Sequence, residues 1–172
     1  FAEIFKNLAD PEPRSVMRNT IGRLWPTLTE LRENFPAMVR GTAIGSILDV
    51  LPGNGAILGP FASYAVEKRV SSRPQDFGKG VPQAVAGPES ANNAGAQTSF
   101  IPLLTLGLPP NAVMALMVGA MMIQGIVPGP QVIERSPDLF WGLVASMWIG
   151  NLMLVIINLP LIGLWVKLLS VP

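Results

Sequence analysis

The side chains best suited to bind a small polar ligand lie in the stretch GPESANNAGAQTSFIPLLTLGLPP. Glu89, Asn93 and Gln97 recur at intervals of four residues, which places them on one face of a helix, with Ser90 and Asn92 beside it. A polar face that meets lipid is costly, so the pattern predicts either a polar cavity or a partner helix there. Both interpretations stay open for the asparagines: ligand contact, or hydrogen bonds between helices that small neighbouring residues allow to approach.

Two short segments interrupt apolar sequence with proline and asparagine. The first is LPGNG (Pro52, Gly53, Asn54 and Gly55), and the second runs from Thr105 through Pro109 to Asn111. Non-helical backbone at membrane depth is tolerated where protein or water satisfies its amides, and transporters use such breaks to bind ions and anions. The alternative is a plain turn between two membrane segments, and these residues alone do not decide between the two.

Three side chains are candidates for cation coupling: Asp49, Glu89 and Gln97. Asp49 precedes LPGNG, where a lone buried carboxylate is unfavourable unless it is protonated, paired or solvated. It is therefore either a proton or cation site or a group in a wet vestibule. Glu89 follows Pro88, so it either couples a cation or favours the start of a helix.

Composition predicts an integral membrane protein. Hydrophobic residues make up 49% of the chain and charged residues 13%, about half the usual share of charge in a soluble domain. The 28 residues from Leu139 to Val166 carry no charge, and as a helix they would extend about 42 Å against about 30 Å of hydrocarbon. The absence of cysteine and histidine removes disulfides and most transition-metal sites. The net charge of +1 does not favour nucleic acid, and the first residue, Phe1, suggests a piece of a longer protein.

Charge divides the chain into a polar segment, 1–40, and a membrane domain, 41–172. We predict that residues 1–40 form an amphipathic segment on the cytoplasmic side. Basic residues flank 41–66 on both sides, and short basic loops favour the cytoplasm. Because 26 residues are too few for two spans, a re-entrant hairpin turning at LPGNG is favoured, with a single crossing as the alternative.

The second break is expected to separate two helices. One should begin at Pro88 and end before Gly107, and the next should begin with Asn111 as N-cap and end near Gly125. The predicted fold class is thus an all-α integral membrane protein, with transmembrane helices, a re-entrant hairpin and discontinuous helices.

Several motifs resemble one known family. IGSILDVLPGNGAILGPFASYAVEKR, FGKGVPQAVAGPESANNAG and FIPLLTLGLPPNAVMALMVGAMMIQGIVPGP follow one another in this chain. They closely resemble the large membrane subunit of the tripartite tricarboxylate transporters over roughly residues 20–172, and the chain resembles the second of its two related halves.

The resemblance implies a multi-pass protein of the bacterial inner membrane that takes up tricarboxylates or related carboxylates with a cation gradient. Its implied partners are a periplasmic solute-binding protein, a small membrane subunit, the lipid bilayer and the carboxylate itself. No cofactor is implied beyond Na⁺ or H⁺ as the coupling ion. With the resemblance, we predict substrate contact by Pro52, Gly53, Asn54, Gly55, Ser90, Asn92, Asn93, Thr105, Pro109 and Asn111.

Two rival classes remain. An intramembrane aspartyl protease needs two carboxylates in one site, and Asp49 is the one intramembrane aspartate that the sequence offers. A serine mechanism lacks a histidine base. A membrane scaffold that only docks other proteins would not require two helix breaks with asparagine. We therefore predict a transporter subunit and no enzyme, while the carboxylate and the coupling ion stay open.

Overall fold

The computed structural model describes residues 25–51, 53 and 55–169, with backbone alone at 55, 56 and 169. Over this part of the chain the fold consists of helices without strands, which confirms the predicted all-α class. The helices are α1 (Leu28–Val50), α2 (Gly55–Val70), a short 3₁₀ helix (Pro74–Asp76), α3 (Gln83–Thr98), α4 (Phe100–Leu106), α5 (Ala112–Ile123), α6 (Val132–Arg135) and α7 (Pro137–Leu169). The contacts below lie within one compact unit, Pro26–Trp148.

Helix α1 begins earlier than the apolar segment that starts at residue 41. Thr27 is its N-cap: the Thr27 hydroxyl accepts the backbone N–H of Glu30, and the Glu30 carboxylate accepts the backbone N–H of Thr27. This reciprocal capping box satisfies two backbone donors at the helix start. The helix then continues past residue 40 without a break. Its 23 residues extend about 35 Å. The prediction of a re-entrant hairpin counted only the 26 residues 41–66, and so it left out the first part of this helix.

Helices α1 and α2 form an antiparallel hairpin. Gly59 of α2 lies against Gly45 of α1, and Glu67, further along α2, pairs with Arg40, earlier on α1. The chain therefore reverses its direction between α1 and α2, as the LPGNG sequence predicted. The depth of this hairpin in a bilayer stays a prediction, and Pro52 and Asn54 lie outside the described residues.

Helices α1 and α3 run parallel and meet through small residues. A Cβ on Gly41 would collide with the carbonyl oxygen of Gly87, and one on Gly45 would collide with that of Ala91. A Cβ on Gly95 would collide with the Asp49 carboxyl group. Such close backbone approach is typical of small residues at four-residue spacing in membrane helices. We call this packing surface the glycine seam, and its members are Gly41, Gly45, Gly59, Gly87, Ala91 and Gly95.

The predicted start of a helix at Pro88 is wrong. Helix α3 begins at Gln83, and Pro88 lies inside it. Proline has no N–H to donate but is tolerated where the chain bends or packing compensates. Glu89 is therefore beyond the first turn, and its interpretation as a helix-start charge is wrong as well.

The helix predicted to continue to Leu106 is interrupted at Ser99, which separates α3 from α4. Ser99 keeps helical angles, φ −55° and ψ −25°, so the interruption is local. Pro102 explains it, because it cannot donate a hydrogen bond to the carbonyl group four residues earlier. Helix α4 ends at Gly107, whose φ of 71° is the left-handed conformation that favours glycine at a helix end.

Helix α5 begins as predicted, with Asn111 as its N-cap. Its buried side chains join those of α4 and α6 in one apolar cluster, made of Leu104, Met121 and Val132. Partly buried residues pack around the cluster: Phe100, Met117, Ile126, Leu139 and Phe140. This cluster fixes α5 relative to α4 and so holds the second break in place.

Helix α7 contains the uncharged run that the sequence singled out. The stretch Pro137–Leu168 has a mean hydropathy of 2.1 and its most apolar window is unburied, so it is long and apolar enough to span a bilayer. It is the one such helix in the described part of the chain. Pro160 lies within it without ending it.

Candidate substrate cavity at two helix breaks

The two helix breaks meet. The backbone N–H of Gly53, in the α1–α2 connection, donates a hydrogen bond of 3.2 Å to the carbonyl oxygen of Pro110. Gly53 has φ 146°, a conformation that glycine adopts without steric cost. Pro110 is buried, while Gly53 and Leu108 stay exposed. The sequence predicted both breaks, and their contact shows that they belong to one place in the fold.

A cavity of about 400 Å³ opens beside this contact. Its volume is within the range of small-molecule sites, about 300–1,000 Å³. Its walls come from the α1–α2 connection, the start of α2, α3 with the residue that follows it, and the start of α5: Gly53, Ile57, Asn92, Ala96, Ser99, Asn111, Ala112, Val113 and Met114. Most of these groups are apolar, so a small number of amide, hydroxyl and backbone groups would orient a ligand.

Asn111 is held by hydrogen bonds on both sides of its amide. Its side-chain oxygen accepts the backbone N–H of Met114 at 3.0 Å, and its side-chain nitrogen donates to the Ser99 hydroxyl at 3.2 Å. Ser99 in turn donates to the carbonyl oxygen of Gly95 at 2.9 Å. Since an asparagine amide has two N–H groups, one remains for the cavity.

The start of α5 adds backbone donors and a favourable field. The first N–H groups of a helix have no partner within the helix, and the helix dipole places partial positive charge there. Ala112 and Val113, the first two residues of α5, line the cavity. Together with the remaining N–H of Asn111, this end of the cavity is suited to a carboxylate or another small anion.

On α3, Asn92 rather than Asn93 lines this cavity. Asn93 is exposed, and its side-chain nitrogen donates to the backbone carbonyl of Glu89 at 2.8 Å on its own helix. Of the three asparagines predicted to contact the substrate here, the structure brings Asn92 and Asn111 to the cavity, and Asn93 does not line it. The reason is rotation of α3: Gly87, Ala91 and Gly95 face α1, which turns Asn92 toward the break and Asn93 away from it.

The remaining predicted polar residues on α3 lie outside the glycine seam. Glu89 is exposed, and Ser90 and Gln97 are half-buried. Glu89 and Gln97 share the face of Asn93. Each of these three residues follows a seam residue of α3 by two positions, which places their face about 200° around the helix from the seam. Their roles in cation coupling stay predictions.

Asp49 is buried on the glycine seam, with 2% of its surface exposed. Its Oδ2 atom is buried and has no hydrogen-bond partner. The carboxyl group fills the space that the missing side chain of Gly95 leaves, and it lies near Gly59 as well. The interpretation of Asp49 as a group in an open wet vestibule does not fit this burial.

The other predicted contacts around the breaks are less central. The Thr105 hydroxyl donates to the carbonyl of Ile101 within α4 at 2.6 Å, and Thr105 and Pro109 are exposed. Gly55 begins α2. Neither Thr105 nor Pro109 lines the cavity of about 400 Å³.

Sequence reasoning missed two features of the site. Ser99, 1% exposed, links α3 to Asn111, and its spacing of four residues from Gly95 was the one signal available. The other is the ion pair of Arg40 with Glu67. The Arg40 guanidinium donates two hydrogen bonds to the Glu67 carboxylate, of 2.7 and 2.6 Å, and the Glu67 side chain is 2% exposed. The separation of 27 residues between these two hides the pair from any local pattern.

The described part of the chain is thus a helical protein with one helix long and apolar enough to span a membrane and a cavity beside the contact of two connections between helices. The chain belongs to the tripartite tricarboxylate transporter TctA family, whose family model matches residues 1–172. The resemblance drawn from the motifs is thereby confirmed. The family is one of transporters.

Two curated relatives from Agrobacterium vitis are similar to the chain. The first, "Uncharacterized 52.8 kDa protein in TAR-I ttuC' 3'region", is 60% identical over 171 residues, which cover 99% of this chain and 34% of the relative. The second, "Uncharacterized protein in TAR-II ttuC' 3'region", is 68% identical over 128 residues, which cover 74% and 53%. The chain thus spans about a third of the first relative and about half of the second. No solved structure matches the chain.

Proposed function

We propose that this chain forms the substrate-binding part of a secondary transporter that takes up tricarboxylates or related carboxylates. The observation that carries the proposal is the meeting of the two helix breaks at a cavity of about 400 Å³. Helix α5 points its N-terminus into this cavity under the cap of Asn111. A carboxylate would accept hydrogen bonds from the Asn111 amide, the backbone at Ala112 and Val113, and the Asn92 amide.

The transport cycle we propose follows the family. A periplasmic solute-binding protein delivers the carboxylate, a small membrane subunit accompanies this one, and a cation gradient drives uptake across the bacterial inner membrane. The chain would be the second half of an inverted-repeat transporter, multi-pass, with the α1–α2 hairpin re-entering from the cytoplasmic side. Cysteines placed at Arg23 and Lys79 should then react with an impermeant reagent from the cytoplasmic face alone. Reaction from opposite faces would exclude the re-entrant hairpin.

Uptake measurements with neighbouring asparagines test the binding site. The whole transporter, reconstituted with its binding protein in proteoliposomes, should take up a labelled carboxylate. Asn92→Ala should raise the substrate concentration for half-maximal uptake by about tenfold, the effect of losing roughly 1.4 kcal/mol from a hydrogen bond to a charged group.

Asn93→Ala is the matched control, because Asn93 is the next residue on the same helix, does not line the cavity and donates a hydrogen bond within that helix. It should leave half-maximal uptake unchanged. If both variants behave alike, or if the whole transporter moves no carboxylate, the cavity is not the substrate site.

A further inference from the structure

The Asp49 carboxyl group is buried in the glycine seam, in surroundings that do not favour a charged group. Its Oδ2 atom has no hydrogen-bond partner, and the two helices packed against it present glycine, Gly95 on α3 and Gly59 on α2. An isolated carboxylate in such surroundings loses its hydration without compensation, whereas the neutral acid does not.

Among the residues that the structure describes, no charged side chain on α2 or α3 stands close enough to Asp49 to balance a negative charge. On α3 the one charged residue is Glu89, which is exposed on another face. On α2, Glu67 is the one charged residue that is buried, and it is bound to Arg40. It lies eight residues from Gly59, about 12 Å along the helix. Tyr64 packs edge-on against Phe77, and the remaining charges of α2, Lys68 and Arg69, are exposed.

A metal cation is a poorer occupant than a proton here. Hard cations in membrane transporters take several oxygen ligands from side chains and unwound carbonyls. Within the described ranges no group of three or more His, Cys, Asp or Glu side chains lies together. Backbone atoms in close contact fill the seam around Asp49. A bound proton needs no additional space there.

Asp49 is joined to the cavity by a short series of contacts. Its carboxyl group lies against Gly95, the carbonyl of Gly95 accepts the Ser99 hydroxyl, and Ser99 accepts the Asn111 amide. Asn111 caps α5 at the cavity. Movement of Asp49 out of the seam would remove its contact with Gly95, the residue at which this series of hydrogen bonds begins.

We infer that Asp49 is a proton-binding site whose neutral carboxyl group closes the glycine seam, and that its deprotonation opens the seam and alters the cavity at Asn111. The route that we infer for proton exchange leads through the break, since Asp49 lies one residue before the end of α1 at Val50. The coupling of this proton to uptake rests on the proposed function, while proton binding itself does not.

Infrared difference spectroscopy on the whole transporter tests proton binding without substrate. Between mildly acidic and alkaline pH, the wild-type protein should lose the carbonyl-stretch band of a protonated carboxylic acid. The band should be absent from Asp49→Asn, which keeps the shape of the neutral acid, and present in Glu89→Gln as the control. Asp49→Ala, which is smaller and fits the same space, gives the same readout if the asparagine variant does not fold. A band unchanged by removal of the Asp49 carboxyl group would overturn the inference.

Uptake then separates this inference from the proposed function. In the wild type, uptake at low substrate should fall with rising pH, by at most about tenfold per pH unit for one proton, and Asp49→Asn should lose that dependence. Uptake that follows Na⁺ and ignores pH in the wild type would overturn the proton's role in coupling. An infrared band assigned to Asp49 in a transporter that moves no carboxylate would refute the proposed function and leave the proton site standing.

Discussion

Replacing Asn111 by aspartate isolates the effect of charge at the start of α5. Aspartate caps helices about as well as asparagine, so the hydrogen bond to the Met114 N–H, 3.0 Å in the structure, should persist. The variant loses the N–H that Ser99 accepts and the N–H left for the cavity. In their place it presents a negative charge to a bound anion.

The expected loss of affinity follows from the size of the cavity. A volume of about 400 Å³ places a bound carboxylate roughly 5–10 Å from the new charge. At an effective dielectric of about 20, repulsion between unit charges at these distances is about 1.7–3.3 kcal/mol. Asn111→Asp should therefore weaken carboxylate binding by about 20- to 300-fold.

The assay is equilibrium binding of a labelled carboxylate to the purified whole transporter, at low and high salt. Asn111→Ser is the matched variant, because serine also caps well and is neutral. It should weaken binding by about tenfold or less, the usual value of one hydrogen bond to a charged group. Equal affinities for Asn111→Asp and Asn111→Ser would refute anion binding at this helix end, and tighter Na⁺ dependence in Asn111→Asp would indicate a cation there instead.

Two further predictions concern the packing that supports the cavity. Gly45→Ala should lower the free energy of unfolding by about 1–3 kcal/mol, since the added Cβ would collide with the Ala91 carbonyl group. Gly59→Ala is the control, because a Cβ there would meet Gly45 at an ordinary 3.4 Å and should change stability little. Equal melting temperatures for the two variants would contradict the seam. Arg40→Met should destabilise the protein by up to about 3 kcal/mol, because Glu67 is left buried without its partner. Adding Glu67→Gln should restore most of that loss; no recovery in the double variant would show that the ion pair is not what stabilises the hairpin.

Local signals in the sequence were sufficient for the class of protein and for the positions of the breaks. A long uncharged run needs no partner to be identified as a membrane helix, and α7 contains it. Proline and glycine act on their own backbone, so the chain reversal at LPGNG and the N-cap at Asn111 could be predicted. The same reasoning failed at Pro88, because a proline that starts one helix can also lie inside another when packing holds the helix together.

Tertiary structure decided which of the predicted residues share a site. Helical periodicity places residues on a common face, but the direction of that face depends on what the helix packs against. Close approach of α3 to α1 at Gly87 and Ala91 sets the rotation of α3, which brings Asn92 to the cavity and leaves Asn93 on the outside. The hydrogen bond from Gly53 to Pro110 and the ion pair of Arg40 with Glu67 join residues far apart in the chain. Such pairings depend on how whole helices pack, and no local pattern of residues contains that information.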